Sequence, residues 1–229
     1  MGHEIEKILI ERGHTITDII DADNTENLSS RLRKCDVAIE FTTPSSAYEN
    51  VSACLNAGIP VVCGTTGWNN RRADAESLCR RLNGSFMWAS NFSIGVNILF
   101  HINKLTARLM NNFPEYEVAI SETHHTRKLD SPSGTAVTLA ENIISALDRK
   151  SDWINSSAHD DHTISITSFR EGDVAGIHEI VYDSPADSLS LRHVAKGRRG
   201  FALGAVIAAE FIAGRKGVFS FDDIFKNYI

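Results

Sequence analysis

Residues 122–136 combine groups that could bind an anion with groups that could transfer a proton. They read Glu-Thr-His-His-Thr-Arg-Lys-Leu-Asp-Ser-Pro-Ser-Gly-Thr-Ala. The adjacent imidazoles of His124 and His125 are able to hold or donate a proton near neutral pH, and Lys128 adds a positive charge. Residue types of this kind, so close together, favour a site for an anionic substrate.

A predicted helix explains how such an anion would be held. Apolar residues recur at helical spacing from Thr135 to Leu147, which places Ser133 and Gly134 at the helix N-terminus. The first amides of a helix have no intrahelical partner and carry the positive end of its dipole, so they bind a carboxylate or a phosphate well. Pro132 fixes the entry into the helix, and Gly134 permits close approach of the backbone.

Ordinary helix capping and a solvated strand end account for each of these residues taken singly. They do not account for Lys128 and two imidazoles at the point where a strand with buried Val118 and Ile120 is expected to end. Ligands bind at such strand ends in α/β folds. We therefore interpret the run as a functional site.

Composition restricts the class of protein. The chain has 229 residues, 42% hydrophobic and 23% charged, which suits a globular fold of one large or two small domains. Its formal net charge of -6, with basic residues scattered apart from those at 196–199, argues against nucleic-acid binding. The N-terminus is too charged for a signal peptide, and no run is long and apolar enough to span a membrane.

The cysteines are predicted to be buried free thiols. None of the four, at positions 35, 54, 63 and 79, belongs to a C-x-x-C pair. This spacing favours neither a metal centre nor a disulfide framework, and it fits a protein of the reducing cytoplasm.

Alternating helices and strands predict an α/β fold whose first half is a parallel, doubly wound sheet of Rossmann type. Helices are expected at 3–12, 26–33, 45–56 and 69–82, and strands at 15–20, 36–41, 60–63 and 85–88. The predicted dinucleotide-binding domain comprises residues 1–93 and 196–229, because the last helix, at 200–213, is rich in small apolar residues that would pack back on it.

The remaining residues, 94–195, are predicted to form a separate α+β domain that carries the candidate substrate site. Its sheet is expected to be mixed and largely antiparallel. Helices are expected at 95–110 and 135–147, and strands in the histidine run and at 163–170, 176–182 and 188–193.

The expected nucleotide site is incomplete at its start. A dinucleotide-binding fold begins with an apolar strand, a glycine-rich turn and a helix that receives the pyrophosphate. Here the first predicted helix follows Met1 and Gly2, which look like the end of such a turn. Asp21 lies where an acid takes the ribose 2′-hydroxyl in NAD-binding sheets. Asp23 is a competing candidate, and ordinary turn chemistry is the alternative.

Two further strand ends are candidates for cofactor contacts. Residues 64–67 read Gly-Thr-Thr-Gly after a predicted parallel strand, and such a turn lets a cofactor ring approach the backbone. A plain tight turn is the alternative. Residues 90–93 read Ser-Asn-Phe-Ser at the next strand end, where amide and hydroxyl groups could position a nicotinamide.

Together these runs closely resemble the signatures of the dihydrodipicolinate reductase family of bacterial diaminopimelate and lysine biosynthesis. The resemblance is carried by Glu122-Thr-His-His with Lys128 and Pro-Ser-Gly-Thr-Ala, by Gly-Thr-Thr-Gly at 64–67, and by Ser90-Asn-Phe-Ser-Ile-Gly-Val-Asn97. Residues 39–44, 170–176 and 193–204 are also similar to family segments. The similarity covers essentially the whole chain.

The resemblance implies an NAD(P)H-dependent reduction of a cyclic hydroxy-imine dicarboxylate. Water is lost, hydride is transferred to the ring, and the resulting enamine is protonated. His124 matches the family's proton donor and acceptor, and Lys128 matches its second proton donor. Whether Lys128 acts as an acid or mainly as a carboxylate clamp stays open.

The resemblance also implies the binding residues. His125 matches a substrate contact, and Gly134 and Thr135, helped by Ser133, match the amides that grip a substrate carboxylate. The implied cofactor contacts are Met1, Asp21, Gly64, Thr65, Thr66, Ser90, Asn91, Phe92 and Ser93. NADH is the expected cofactor because an acid at Asp21 repels a 2′-phosphate, although this family often accepts NADPH as well.

A homotetramer assembled through the sheet of the second domain is likewise implied. One departure is expected to matter, because the family's first strand and most of its glycine turn have no counterpart before Met1.

Two alternative functions remain on the sequence alone. One is another small NAD(P)-dependent reductase acting on an amino acid or sugar, and the other is a scaffold without cofactor affinity.

Overall fold

The computed structural model describes residues 1–26, 28–157 and 160–226, which divide into two units. Unit 1 contains residues 1–93 and the described residues from Arg199 onward, and unit 2 contains residues 94–198. The second boundary therefore falls after Arg198 rather than after Ala195 as predicted. The backbone N–H of Ala195 still donates to the carbonyl of Gly176 at 2.8 Å, so the chain leaves the second sheet only beyond it.

The elements of the described residues are numbered in chain order. The helices are α1 (Gly2–Glu11), α2 (Leu28–Leu32), α3 (Pro44–Asn56), α4 (Asn69–Arg81), α5 (Ile94–Met110), α6 (Gly134–Ile144), α7 (Arg199–Ile212) and α8 (Phe221–Phe225). The strands are β1 (Ala38–Glu40), β2 (Val61–Cys63), β3 (Ser85–Trp88), β4 (Glu117–His124), β5 (Asp152–Ile154), β6 (Thr163–Arg170), β7 (Ile177–Asp183), β8 (Ser188–Val194) and β9 (Gly217–Phe219).

Unit 1 is built on a four-stranded parallel sheet in the order β1-β2-β3-β9. The strands are short and apolar, and all three residues of β2 are fully buried. Helices α3 and α4 connect successive strands, as parallel pairing requires. Helix α7 packs against α1 and against β1, β2 and β3. The predicted Rossmann-type sheet is confirmed.

The predicted strand at 15–20 is wrong. These residues belong to no strand, and among the described residues β1 pairs on one side only, with β2. Alternating Thr and Ile residues favour a strand, but a strand also needs a neighbour for its N–H and C=O groups. The segment is instead tied to α2, where Arg31 Nη2 donates to Asp18 Oδ1 at 2.6 Å.

Unit 2 is built on a five-stranded mixed sheet in the order β5-β6-β4-β7-β8. The pairs β4-β7 and β7-β8 are antiparallel, whereas β4-β6 and β5-β6 are parallel, so the sheet is less antiparallel than predicted. The reason is the crossover through α6, which returns the chain in the same direction beside β4. The short elements β5, β9 and α8 were not predicted.

Helices α5 and α6 of unit 2 cover one face of this sheet. The core between them contains fully buried Leu139 and Ile143 of α6, together with Ile120 and Tyr182 from the sheet. Side chains on the opposite face, such as Ala119 and Arg192, are exposed. Among the helices that the structure describes, none is long and apolar enough to cross a membrane.

The turn after β2 is packed closely against the end of β1. A Cβ atom on Gly64 would lie 2.1 Å from Phe41 Cε1, so only glycine fits at this position. The Phe41 ring is itself in edge-to-face contact with Phe92, with ring centroids 5.6 Å apart. This packing fixes the position of the turn relative to two strand ends.

Gly64→Ala is expected to lower the free energy of unfolding by about 1–3 kcal/mol, as overpacking does elsewhere. The Phe41 ring cannot move aside without disturbing its contact with Phe92. Urea-induced unfolding measures the change. Gly2→Ala is the control because a Cβ atom there would meet nothing within 4 Å. Equal effects of the two substitutions would contradict the packing argument.

Candidate active site

Strand β4 carries the central groups of the site. Its side chains alternate between the two faces of the sheet, so every second one points toward the helices. Val118 and Ile120 occupy this buried face, and Glu122 and His124 continue it, with exposed fractions of 0% and 8%. A carboxylate and an imidazole are therefore buried side by side at the strand end.

Glu122 accepts hydrogen bonds from three different elements. Its Oε2 bonds to Nδ1 of His124, and its Oε1 accepts from Arg170 Nη1 at 3.0 Å and from the backbone N–H of Ser133 at 3.3 Å. Burial alone would raise the pKa of Glu122, but hydrogen bonds from His124, Ser168 and Arg170 outweigh it and lower the pKa to about 2. Glu122 is ionised at neutral pH, so His124 donates its Nδ1 proton to it.

The second ring nitrogen of His124 faces a glycine. Gly176 has φ +152°, and a Cβ atom there would lie 3.1 Å from His124 Nε2. A side chain at this position would crowd the nitrogen. Gly176 thus keeps space beside the atom of His124 that can exchange a proton with another molecule.

Ser133 and His178 connect the imidazole to helix α6. Ser133 is the N-cap residue, and its Oγ accepts from the backbone N–H of Ala136 at 3.2 Å. The same hydroxyl lies within hydrogen-bond distance of His178 Nε2, at 3.1 Å. Burial, reinforced by His124, lowers the pKa of His178 to about 3, so this ring is neutral at neutral pH. The hydroxyl of Ser133 therefore has its hydrogen-bond partners inside the protein.

The helix begins where the sequence predicts an anion site. Gly134 is its first residue, is exposed, and has nothing within 4 Å of the position of a Cβ atom. Thr135 follows and is half-buried. The N-terminal end of α6 therefore presents exposed backbone near the buried pair of Glu122 and His124.

Lys128 and His125 lie in the loop between β4 and α6. Lys128 Nζ is 2.8 Å from a carboxylate oxygen of Asp130, and the lysine side chain is 20% exposed against 60% for its partner. A substrate carboxylate would have to compete with Asp130 for this cation. The ring of His125 is half-buried, and its Nδ1 has no hydrogen-bond partner.

Glu122, His124 and His178 have potential metal-ligand atoms within 4.8 Å of one another. The carboxylate is already hydrogen-bonded to a guanidinium and a backbone amide. A cation at this place would lie close to Arg170, which carries a positive charge of its own. We interpret the group as a hydrogen-bonded network.

The second group of predicted residues lies at the carboxyl edge of the first sheet. The register pairs Glu40 with Cys63 and Cys63 with Trp88, so the segments after these strands begin side by side. These segments contain the Gly-Thr-Thr-Gly turn at 64–67 and the run at 90–93. The structure therefore brings these two predicted runs together.

Within the turn, Thr65 is turned inward and Thr66 outward. Thr65 is 5% exposed, and its hydroxyl accepts from Thr42 N at 2.7 Å and lies 3.1 Å from Glu40 Oε1, to which it donates. Its carbonyl accepts from the indole N–H groups of Trp68 and Trp88 at 2.7 and 2.8 Å. Thr65 is thus engaged in holding the turn, whereas Thr66 is exposed.

The run at 90–93 is also divided between surface and core. Ser90 is exposed, Asn91 is half-buried, and its side chain accepts from Ser93 N at 2.8 Å. Phe92 is 2% exposed and contacts the rings of both Phe41 and Phe221.

Met1 and Asp21 are not joined to this edge by the contacts they make. Met1 is the N-cap residue of α1, and its carbonyl accepts from Glu4 N and Ile5 N. Asp21 lies in an exposed turn, where its side chain accepts from Ala22 N at 2.7 Å and its own N–H donates to Asn24 Oδ1 at 2.9 Å.

Sequence reasoning did not assign roles to Glu122, Arg170, His178, Gly176 or Glu40. The period of two along β4 was a usable signal for Glu122, because it places this carboxylate on the same face as His124. Arg170 and His178 reach the site only through strand pairing, since they lie opposite His124 on β6 and Glu122 on β7.

Comparisons with known proteins agree along the whole chain. The profile described as dihydrodipicolinate reductase, N-terminus, matches residues 1–92, and the profile for the C-terminus of the same family matches residues 95–225. The 4-hydroxy-tetrahydrodipicolinate reductase of Christiangramia forsetii is 42% identical over 99% of this chain and 96% of that protein. The enzyme of the same name from Neisseria meningitidis is 32% identical over 94% of this chain and 78% of its own length.

Solved structures show the same fold. A dipicolinate-bound dihydrodipicolinate reductase from Paenisporosarcina sp. TG-14 is similar with a TM-score of 0.77 and 23% identity, over 96% of this chain and 92% of that chain. An amine dehydrogenase from Mycobacterium smegmatis is similar with a TM-score of 0.63 and 11% identity, over 96% and 91% of the two chains. At these identities the likeness concerns the fold alone. The family profiles and the close relative, however, cover nearly every residue, and the chain belongs to the dihydrodipicolinate reductase family.

Proposed function

We propose that this chain reduces 4-hydroxy-tetrahydrodipicolinate to tetrahydrodipicolinate, with loss of water, in diaminopimelate and lysine biosynthesis. The observation that carries the proposal is the arrangement at the end of β4. A buried imidazole, held by a buried carboxylate, lies beside the exposed N-terminus of α6 and the cation of Lys128. A proton carrier and an anion site are what a cyclic dicarboxylate with a reducible imine requires.

Each group of unit 2 then has a defined task. The amides of Gly134 and Thr135 bind one carboxylate of the substrate at the positive end of the helix. Lys128 binds a carboxylate or donates a proton, and His125 contacts the substrate. His124 transfers a proton through Nε2 to the enamine that remains after reduction. Ser133 supports this site from within, because its hydroxyl caps the helix and contacts His178.

The carboxyl edge of the first sheet fits a nicotinamide cofactor. The parallel register sets the turn at 64–67 beside the run at 90–93, and Thr66 and Ser90 are exposed there. When bound, the cofactor supplies the hydride for the reduction. We propose that Met1, Gly64, Thr66 and the run at 90–93 contact it, and that Thr65 shapes the turn. Asp21 would accept the ribose hydroxyls, which favours NADH over NADPH.

We also propose a homotetramer formed through the sheet of unit 2, whose outer face carries exposed side chains such as Val194.

A cytoplasmic location agrees with the cysteines, which are all free thiols, three of them buried.

His124→Gln is expected to lower kcat by about two orders of magnitude or more, because glutamine cannot transfer a proton. Binding of NADH, measured by calorimetry, is expected to stay unchanged. The control is His162→Gln, since His162 is exposed and lies outside the site. Full turnover in His124→Gln would exclude the proposed role.

Lys128→Ala is expected to weaken binding of dipicolinate, an unreactive dicarboxylate, by about 10- to 100-fold, because a charge-assisted contact contributes roughly 1.5–3 kcal/mol. Calorimetry measures dipicolinate and NADH in parallel. Arg127→Ala is the matched control, since Arg127 is a neighbouring cation paired with exposed Asp173. Equal losses for the two ligands, or for the two variants, would contradict the role of Lys128.

Asp21→Ser is expected to raise the preference for NADPH relative to NADH, because it removes a carboxylate that repels the 2′-phosphate. The ratio of kcat/KM for the two cofactors is the measurement. Asp23→Ser is the control in the same exposed turn. A shift with Asp23→Ser alone would transfer the ribose role to Asp23.

A further inference from the structure

We propose that Glu122 is a positioning residue for His124, which holds the imidazole in one tautomer and couples it to the start of helix α6. The proposal rests on the proposed function, because it concerns the proton that His124 transfers. Glu122 does not touch the substrate in this view, since its side chain is fully buried. It acts through the ring that it orients.

The geometry leaves His124 little freedom. The two residues are separated by one position on β4, so both side chains lie on the same face of the strand. Glu122 Oε2 accepts from Nδ1, which leaves Nε2 directed toward the space beside Gly176. The Nδ1 proton stays on the ring throughout, while the Nε2 proton passes to the substrate carbon. Glu122 itself gains no proton.

The carboxylate is kept charged by its surroundings. Arg170 Nη1 contacts Oε1 at 3.0 Å, and the same guanidinium donates through Nη2 to the carbonyl of Asp130 at 2.7 Å. His178 is buried and neutral, so it adds no competing charge. A charged acceptor next to Nδ1 favours the tautomer that keeps its proton on this nitrogen.

The same carboxylate also links the proton carrier to the anion site. Glu122 Oε1 accepts from the backbone N–H of Ser133 at 3.3 Å, immediately before Gly134. Ser133 is held in turn by His178 through its hydroxyl. The imidazole and the N-terminus of α6 therefore share one acceptor, and a shift of either would strain the other.

Several charged or titratable groups surround the imidazole of His124. They are Glu122 on β4, Arg170 on β6, His178 on β7, His193 on β8, and Lys128 with Asp130 in the loop. Burial lowers the pKa of His193 as well as that of His178. Glu122 is the anion in direct contact with the imidazole.

The first test is Glu122→Gln. Glutamine keeps the shape but removes the charge, and its amide can donate to Nδ1 and so favour the wrong tautomer. We expect kcat to fall about 100-fold or more, by analogy with the loss of an orienting carboxylate in other imidazole catalysts. The dissociation constant for dipicolinate should change much less than kcat.

Strand β4 offers a matched control at its other end. Glu117 forms an ion pair with Lys150, whose side chain is fully buried. Glu117→Gln removes, from the same strand as Glu122, the carboxylate that pairs with buried Lys150, so it costs stability without touching the imidazole. It is expected to leave the tautomer of His124 unchanged. Glu122→Asp keeps the charge on a shorter side chain, and it is expected to retain the wild-type tautomer with a reduced kcat.

A spectroscopic measurement distinguishes the proposed function from the positioning role of Glu122. Nitrogen-15 NMR of the histidine rings should show His124 with its proton on Nδ1 in the wild-type protein and a changed tautomer in Glu122→Gln. Wild-type protein that shows this tautomer but does not reduce the substrate would overturn the proposed function and leave the arrangement standing. Active wild-type protein whose His124 tautomer is unchanged in Glu122→Gln would overturn the positioning role. A loss of kcat matched by Glu117→Gln would also overturn it, because the loss would then reflect stability alone.

Discussion

A charged carboxylate in the interior of unit 2 is the constraint on which its architecture depends. An isolated buried carboxylate costs several kcal/mol, so Glu122 requires strong donors. These donors come from β4 itself, from β6 through Arg170 and from the start of α6 through Ser133. The parallel neighbour β6 and the crossover helix must therefore meet at one point. The same arrangement leaves the imidazole of His124 beside the helix N-terminus.

The two ends of β4 use buried charge differently. At one end the buried partner is Lys150, which also donates to the carbonyl of Thr163 at 3.0 Å and meets the half-exposed Glu117. That pair joins β4 to the segment before β5, and its anion remains partly in water. At the other end the anion is the fully buried member. Only this second arrangement leaves an ionised acceptor away from water, where it acts strongly on a neighbouring imidazole.

Local patterns predicted those parts of the fold that local interactions determine. Helix α6 and β3 follow from spacing and apolar content, and the histidine run followed from residue types alone. The segment 15–20 shows where this reasoning ends, because strand formation depends on a partner that the pattern of the segment cannot reveal. The inward side chain of Thr65 is a similar case, since it depends on Glu40 and two indoles from distant positions. Arg170 is likewise brought to Glu122 only by the pairing of β6 with β4, which the local sequence does not reveal.

Among the residues that the structure describes, Glu40 and Glu122 are buried acids near strand ends, and their donors distinguish their roles. Glu40 accepts from neutral groups, namely the hydroxyls of Thr42 and Thr65 and the thiol of Cys63. Such donors fix the shape of a turn. Glu122 accepts from a guanidinium, and Arg170 also donates to the carbonyls of Phe169 and Asp130 at 2.7 Å each. A lysine has a single ammonium and could not hold these acceptors in the fixed planar geometry of a guanidinium. Arginine at this position therefore ties the charge of Glu122 to the backbone of the loop that carries Lys128, so the pair of Glu122 and His124 and this loop are held by one side chain.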